Sequence, residues 1–268
     1  MRYWDRETLK TRAKNVLKNT YWMTFLAMLI ISFLGGGADS SSSGGLGTAA
    51  VSIIGSIVSL ATSAFTSLSN SLGSIGRGIG IASASISVVF FFYAFIALFV
   101  TAVTIFIGNA MKVGKCRFLT MCRYGEVDLG QLFFPFRNGQ YINTIKIMFF
   151  KDLYVFLWSL LFIVPGIIKS YEYWMVPYIL AENPNITKER AFEISSRATQ
   201  GEKWEMFVLE LSFIGWYLLG IVAGCGLGSL FVNPYYEATQ AELYGALRYK
   251  VVVNGLCTRD EIGKELFS

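Results

Sequence analysis

Residues 158–166 read WSLLFIVPG, and residues 216–224 read WYLLGIVAG. Six of the nine positions are identical at a separation of 58 residues (158 to 216). Neither copy carries a charge or a reactive side chain, so the repeat concerns architecture rather than chemistry. Each reads as the end of a helix before a tight return, because proline lacks an amide donor and glycine accepts turn dihedrals. Upstream, Asp152 and Glu210 each stand six residues before the tryptophan. Downstream, VPYILA at 176–181 is answered by NPYYEA at 233–238, with Pro-Tyr at the same place in both. Two related helical hairpins are therefore expected in the C-terminal half.

Composition sets the environment expected for them. Hydrophobic residues make up 54% of the chain and charged residues 15%, with mean hydropathy +0.50. A soluble domain carries about 25% charged residues. Residues 81–107 form an uncharged run of 27, enough for a hydrocarbon core about 30 Å thick. The expected fold is all-α: a polytopic helical membrane protein with about six transmembrane helices, an N-terminal amphipathic helix and two C-terminal hairpins. Residues 1–20 are expected to lie on the membrane surface through Leu9, Ala13, Val16 and Leu17, with a basic opposite face. They lead into a first crossing at 21–34, retained rather than cleaved as a signal peptide.

The region 21–107 contains a Ser/Gly-rich insert, 35–80, that reads as a linker around the apolar stretch 48–68. That stretch could cross, re-enter or rest on the surface. The basic segment 108–144 is expected as a cytoplasmic loop, which favours no crossing at 48–68. Further crossings are expected at 145–163, 167–182, 204–222 and 229–247, within a tandem-hairpin region 145–247. A cytoplasmic tail, 248–268, follows. All basic residues except Arg77, Lys151 and Lys169 then fall on the inner side, with both termini in the cytoplasm of a multi-pass bacterial cell-membrane protein.

Ionisable residues inside such a bundle are the candidate site: Asp152, Glu210, Glu172, Glu237 and Lys151. They would form either a polar path or interhelical ties. Helix breaks are expected at Pro165, Gly166, Pro177, Gly224 and Pro234. Arg197 and Lys203 bracket a helix start and are candidate headgroup contacts. The chain has no histidine. This excludes Ser-His-Asp chemistry and the zinc and haem signatures built on histidine. The four cysteines lack the spacing of a metal or disulfide framework, and no P-loop is present. No metal, cofactor or nucleic-acid partner is expected.

Several stretches carry a family resemblance. Ala13-Lys14, Leu17 and Tyr21-Trp22 are followed by Ile107-Gly108-Asn109, Val113-Gly114 and Arg117-Phe118. Then come Trp158–Leu161, Pro165–Ile168, Pro177–Ala181, Gly201, Lys203-Trp204, Leu211–Trp216, Asn233-Pro234-Tyr235 and Tyr244. On these residues the chain resembles DUF975, an uncharacterised family of bacterial membrane proteins. The family often has histidine beside the glycine of its Gly-x-Lys signature, where this chain has Glu202; its insert 35–80 matches nothing specific there. The resemblance implies no established reaction. It implies a loose similarity to the membrane domain attached to some glycerophosphodiester phosphodiesterases, and hence a lipid or envelope context. The expected function is a non-enzymatic, envelope- or lipid-associated binding or scaffold role, with membrane lipid and anionic headgroups as partners. The alternative is a small transporter or permease component using the buried carboxylates.

Overall fold

The computed structural model describes residues 4–33, 106–137, 139, 141–224, 228–258 and 261–262, with Ser63, Ser67 and Phe95. The rest of the insert 35–80, and all of the expected crossing 81–107 except Phe95, Phe106 and Ile107, lie outside the described residues.

The described residues form helices and turns, without a strand. In chain order they are α1 (Arg6–Phe33), α2 (106–123), a 3-10 turn (Leu129–Phe133), α3 (Phe134–Arg137), α4 (Tyr141–Leu161), α5 (Ile163–Glu172), α6 (Val176–Glu182), α7 (Lys188–Thr199), α8 (Lys203–Gly224) and α9 (Gly228–Val253). α9 is the centre of the packing, with α1, α7 and α8 against it, and α4 lies along α5.

Among the described residues no helix is both long and apolar enough to cross a membrane. This overturns the six-crossing bundle. α4 carries Lys146, Lys151 and Asp152 within its 21 residues, and α8 carries Lys203, Glu205 and Glu210. The expected crossing 167–182 is two short helices, α5 and α6, separated by a turn at 173–175. The seven residues of α6 rise only about 10 Å. The expected surface helix and first crossing are one unbroken helix, α1. Asp5 starts it, accepting from the Glu7 amide at 3.2 Å. Its apolar face is formed by Leu9, Ala13 and Leu17, as expected, but it packs on protein: Ala13 and Leu17 cluster with Ala238 of α9.

Residues 108–123, expected as part of a basic loop, are helical instead. Met111, Val113, Cys116, Phe118, Leu119 and Cys122 are buried, and so are the charged Lys115 and Arg117. The apolar spacing is helical; the cations between them disguised it. Gly114 brings this helix against the 3-10 turn, since a Cβ there would stand 2.7 Å from the Leu132 carbonyl carbon.

The break between α4 and α5 falls at Phe162, whose backbone is extended, not at Pro165-Gly166. Pro165 lies in the first turn of α5, where its missing amide would have had no partner. Gly166 is a contact residue: its Cβ would sit 2.7 Å from Ser159 Cα, so α4 and α5 touch there. Pro177 likewise begins α6 instead of bending a longer helix. Pro234 lies inside α9, which runs through it as one helix, so no break falls there. Just before it, Tyr21 of α1 donates to the Phe231 carbonyl at 3.2 Å. Gly224 is the last residue of α8. Gly201, with φ of 81°, makes the left-handed turn between α7 and α8.

Candidate functional site

The register that aligns Asp152 with Glu210 does not give them the same surroundings. Asp152 is 43% exposed and pairs with its neighbour Lys151 at 3.3 Å. Glu210 is largely buried between two tyrosines: Tyr171 of α5 donates to one carboxylate oxygen, and Tyr236 of α9 lies 3.3 Å from the other. Burial raises the Glu210 pKa, and the two tyrosine hydroxyls oppose that rise.

Glu172, at the end of α5, is a hub. It accepts from Lys169 at 2.8 Å, Lys203 at 2.7 Å and Ser196 at 3.1 Å. Its backbone carbonyl accepts from Ser195 at 2.7 Å. Burial works to raise its pKa, but the two lysines prevail and hold it below the ordinary value. Lys203, expected as a headgroup contact, is thus occupied internally. Arg197 pairs with Glu193 at 2.7 Å on the outer face of α7. Glu202, in the place where the resembled family often has histidine, pairs with Lys250 at 3.0 Å.

Glu237 belongs to a buried charged layer not visible in the sequence. Lys115 of α2 donates to Glu237 at 2.8 Å, and Arg123, two turns on, donates to Glu242 at 2.9 Å. Gly245 leaves the space that the Arg123 guanidinium fills. Arg117 donates to the Ala181 carbonyl at 2.8 Å and lies on the Phe134 ring, 3.6 Å from its centroid. Arg248 stands 3.4 Å from the Glu182 carboxylate and reaches the Tyr124 hydroxyl at 3.2 Å. Lys115 and Arg123 are eight residues apart, so reading 106–123 as a helix would have put both on one face.

The Glu182 carboxylate and the Tyr244 hydroxyl are buried together, and the buried Gln240 amide has no hydrogen-bond partner among the described residues. Burial pushes the Glu182 pKa up against the pull of Arg248, the Tyr244 hydroxyl, Arg123 and Arg117. Tyr244 stacks on Tyr178 at 4.6 Å between ring centres. The layer ties α2, α6 and α9 together. Among the described residues no group of three or more Cys, Asp or Glu is placed to hold a metal ion.

At the other end the surface is apolar. Phe156, Leu157, Trp158, Leu160 and Leu161 of α4 are exposed, as are Phe162 and Ile163, Val164, Ile167 and Ile168 of α5. Leu160 and Ile163 each show 77% of their surface. On α8, Leu211, Ile214, Trp216, Leu218 and Leu219 are exposed. So the repeated line forms the outside of both hairpins.

Comparison with known families places the C-terminal half. A family model described as a protein of unknown function, DUF975, matches residues 160–250. Over those residues the chain is similar to the DUF975 family. No curated protein and no solved structure matches the chain, and the looser similarity to glycerophosphodiester phosphodiesterases is not shown.

The DUF975 segment runs from the tip of α4 to the last turn of α9. It includes Glu182, Glu237, Glu242 and Arg248, while Lys115, Arg117 and Arg123 lie outside it. Glu237 and Glu242 are therefore paired from another part of the chain, whereas Glu182 is met by Arg248 within the segment. The segment has its own hub at Glu172, but it completes its charged layer only with α2.

Proposed function

We propose that this chain is a non-enzymatic lipid-binding protein of the cell envelope, which seats the α4–α5 tip and the outer half of α8 in an apolar lipid phase. The observation that carries this reading is the run Leu153–Ile168, which has no charge and leaves a continuous series of large apolar side chains exposed. Contiguous exposed apolar surface of this kind marks a site of interaction with protein or lipid. Two features favour lipid. Trp158 and Trp216 are both exposed within these apolar surfaces, and tryptophan favours the lipid–water boundary. Lys169 lies 5.7 Å from the centre of the Trp158 ring, a cation at the edge of the apolar zone.

The transport alternative draws less support. Asp152, Glu172, Glu210 and Glu237 are each engaged by a neighbouring side chain. A carrier would need at least one of them to exchange partners.

Co-flotation with phosphatidylcholine vesicles tests the reading. The wild-type chain is expected to float, and the Leu160→Glu/Ile163→Glu double variant to remain at the bottom with an unchanged melting temperature, because both side chains are exposed. Equal flotation of the two would overturn it. So would light scattering that shows a wild-type dimer which the double variant abolishes, with no flotation of either; the tip would then be a protein interface.

A further inference from the structure

α1 presents two opposed faces. Leu9, Ala13, Leu17, Thr20, Thr24 and Ala27 are buried. The outward stripe carries Thr11, Arg12, Lys14, Asn15, Lys18 and Asn19, all exposed. One turn further, the same stripe becomes Trp22, Met23 and Leu26, also exposed, with Trp22 at 73%. The change from basic to apolar is abrupt and lies on one face of one helix.

The direction of this change matches that of the hairpins. Arg6 of α1 lies 3.8 Å from Glu205 in the first turn of α8, and Lys10 lies over the Phe213 ring at 4.8 Å. α1 and α8 therefore rise together, and both pass from charged to apolar toward the tip. The α1 boundary at Trp22 is level with the tip region, since Tyr21 and Phe25 both reach Phe231 near the start of α9.

Among the described residues Arg12, Lys14 and Lys18 pair with no carboxylate, and the Lys14 ammonium lies 5.7 Å from the centre of the Tyr235 ring of α9. Lys10, Lys14 and Lys18 recur at four-residue intervals, where like charges oppose each other and weaken a helix. Burial foremost, and then Arg6 and Lys14, act to lower the Lys10 pKa. A helix keeps such a stripe at a cost in its own stability, and an anionic surface would relieve that cost.

We infer that the lipid surface bound by this chain is anionic, and that the outer stripe of α1, Arg12, Lys14 and Lys18, is the part that recognises its headgroups. This rests on the lipid-binding reading above and adds the headgroup class. The dimensions agree. Lys18 and Lys14 lie four and eight residues before Trp22, which is about 6 and 12 Å along the helix. With Trp22 at the edge of the hydrocarbon, these residues fall at the headgroups and just outside them, close to the Debye length of about 10 Å at 0.1 M salt. Each basic residue at that depth strengthens binding to an acidic leaflet several-fold.

The experiment is vesicle binding by the full chain with two lipid compositions, phosphatidylcholine alone and phosphatidylcholine with phosphatidylglycerol, at 0.05 M and 1 M salt. The wild-type chain is expected to bind the mixed vesicles tenfold or more tightly at low salt and to lose that preference at high salt. The Arg12→Gln/Lys14→Gln/Lys18→Gln variant should bind phosphatidylcholine as the wild type does and lack the preference. A Lys14→Arg/Lys18→Arg variant should retain it. Equal wild-type binding to both vesicles would overturn the headgroup assignment while leaving lipid binding intact. A preference that survives the triple substitution would overturn the role of α1. Binding to neither vesicle would remove the lipid reading itself, and this inference with it.

Discussion

The Lys115 ammonium donates to Glu237 Oε1 at 2.8 Å, and each side chain is only 9% exposed. One comes from α2 and the other from α9, 122 residues later. A buried pair of this kind adds little over an apolar pair of equal volume, because both charges lose their hydration. Breaking it is another matter. Lys115→Met leaves Glu237 charged and buried, and should lower stability by about 3–5 kcal/mol in urea unfolding. The double variant Lys115→Met/Glu237→Leu should recover most of that loss. If the double variant is as unstable as the sum of the singles, the pair is not an isolated unit.

Two glycines in helices should respond to alanine in opposite ways. At Gly114 a Cβ would meet the Leu132 backbone, with the carbonyl carbon at 2.7 Å. Backbone cannot swing aside, so Gly114→Ala should destabilise by about 1–3 kcal/mol through the overpacked contact of α2 with the 3-10 turn. At Gly215 nothing lies within 4 Å of an added Cβ. Gly215→Ala should therefore stabilise α8 by about 0.5–1 kcal/mol, the ordinary helix preference for alanine. Thermal unfolding of the two variants beside wild type reads both signs; a stabilising Gly114→Ala would mean that α2 and the turn are not in contact.

Thiol reactivity tests the packing of α2 directly. Cys116, Cys122 and Cys257 are buried. Burial pushes the Cys122 thiol up to about 12. Burial and a hydrogen bond involving Glu261 do the same for Cys257. The attacking species is the thiolate, so both exposure and ionisation work against reaction. In a Cys225→Ser background at pH 8, the native chain should react with a disulfide reagent only slowly, and the urea-unfolded chain should release three thiols at once. Rapid reaction of Cys116 and Cys122 in the native chain would return residues 108–123 to a loop.

Much of this architecture can be read in the residues, but the partners cannot. The fourfold spacing of Leu9, Ala13 and Leu17 predicts an apolar face on α1; it does not say that the face covers α9 rather than lipid. The repeated WSLLFIVPG and WYLLGIVAG mark the outer ends of α4 and α8. The proline-glycine pair misplaces the break by a few residues, because proline fits the first turn of a helix as readily as it ends one. The charged layer was hidden for a different reason. Lys115, Arg117 and Arg123 raise the local charge of 108–144, and charge density reads as exposure. The carboxylates of Lys115 and Arg123, Glu237 and Glu242, lie 122 and 119 residues away in sequence, and the Ala181 carbonyl that Arg117 meets lies 64 away. Local periodicity carries no information at that range. Apolar content misled in the same direction: it predicts burial in something apolar, yet α4 and α8 interrupt their apolar stretches with Lys151, Asp152 and Glu210.

The last prediction concerns the segment after α9, which folds back onto α6 and α7. Arg190 holds Glu261 with two bonds, Nε to Oε1 at 2.9 Å and Nη2 to Oε2 at 3.0 Å, and also donates to the Leu256 carbonyl at 2.9 Å. Asn183 donates to the Glu261 carbonyl at 3.1 Å, and Ile262 is fully buried. The Arg190 bonds, with the Thr258 amide, hold the Glu261 carboxyl down at about 2. A carboxyl whose value falls on folding stabilises the folded state fully above its ordinary value near 4.5, and progressively less as pH drops toward 2. At pH 6, Glu261→Gln should thus lower the urea midpoint relative to wild type. The gap should narrow from about pH 4.5 downward and be nearly closed at pH 2, where the wild-type carboxyl is itself half protonated. A gap that stays constant between pH 6 and pH 2.5 would show that Glu261 fastens the segment through its shape and not through its charge.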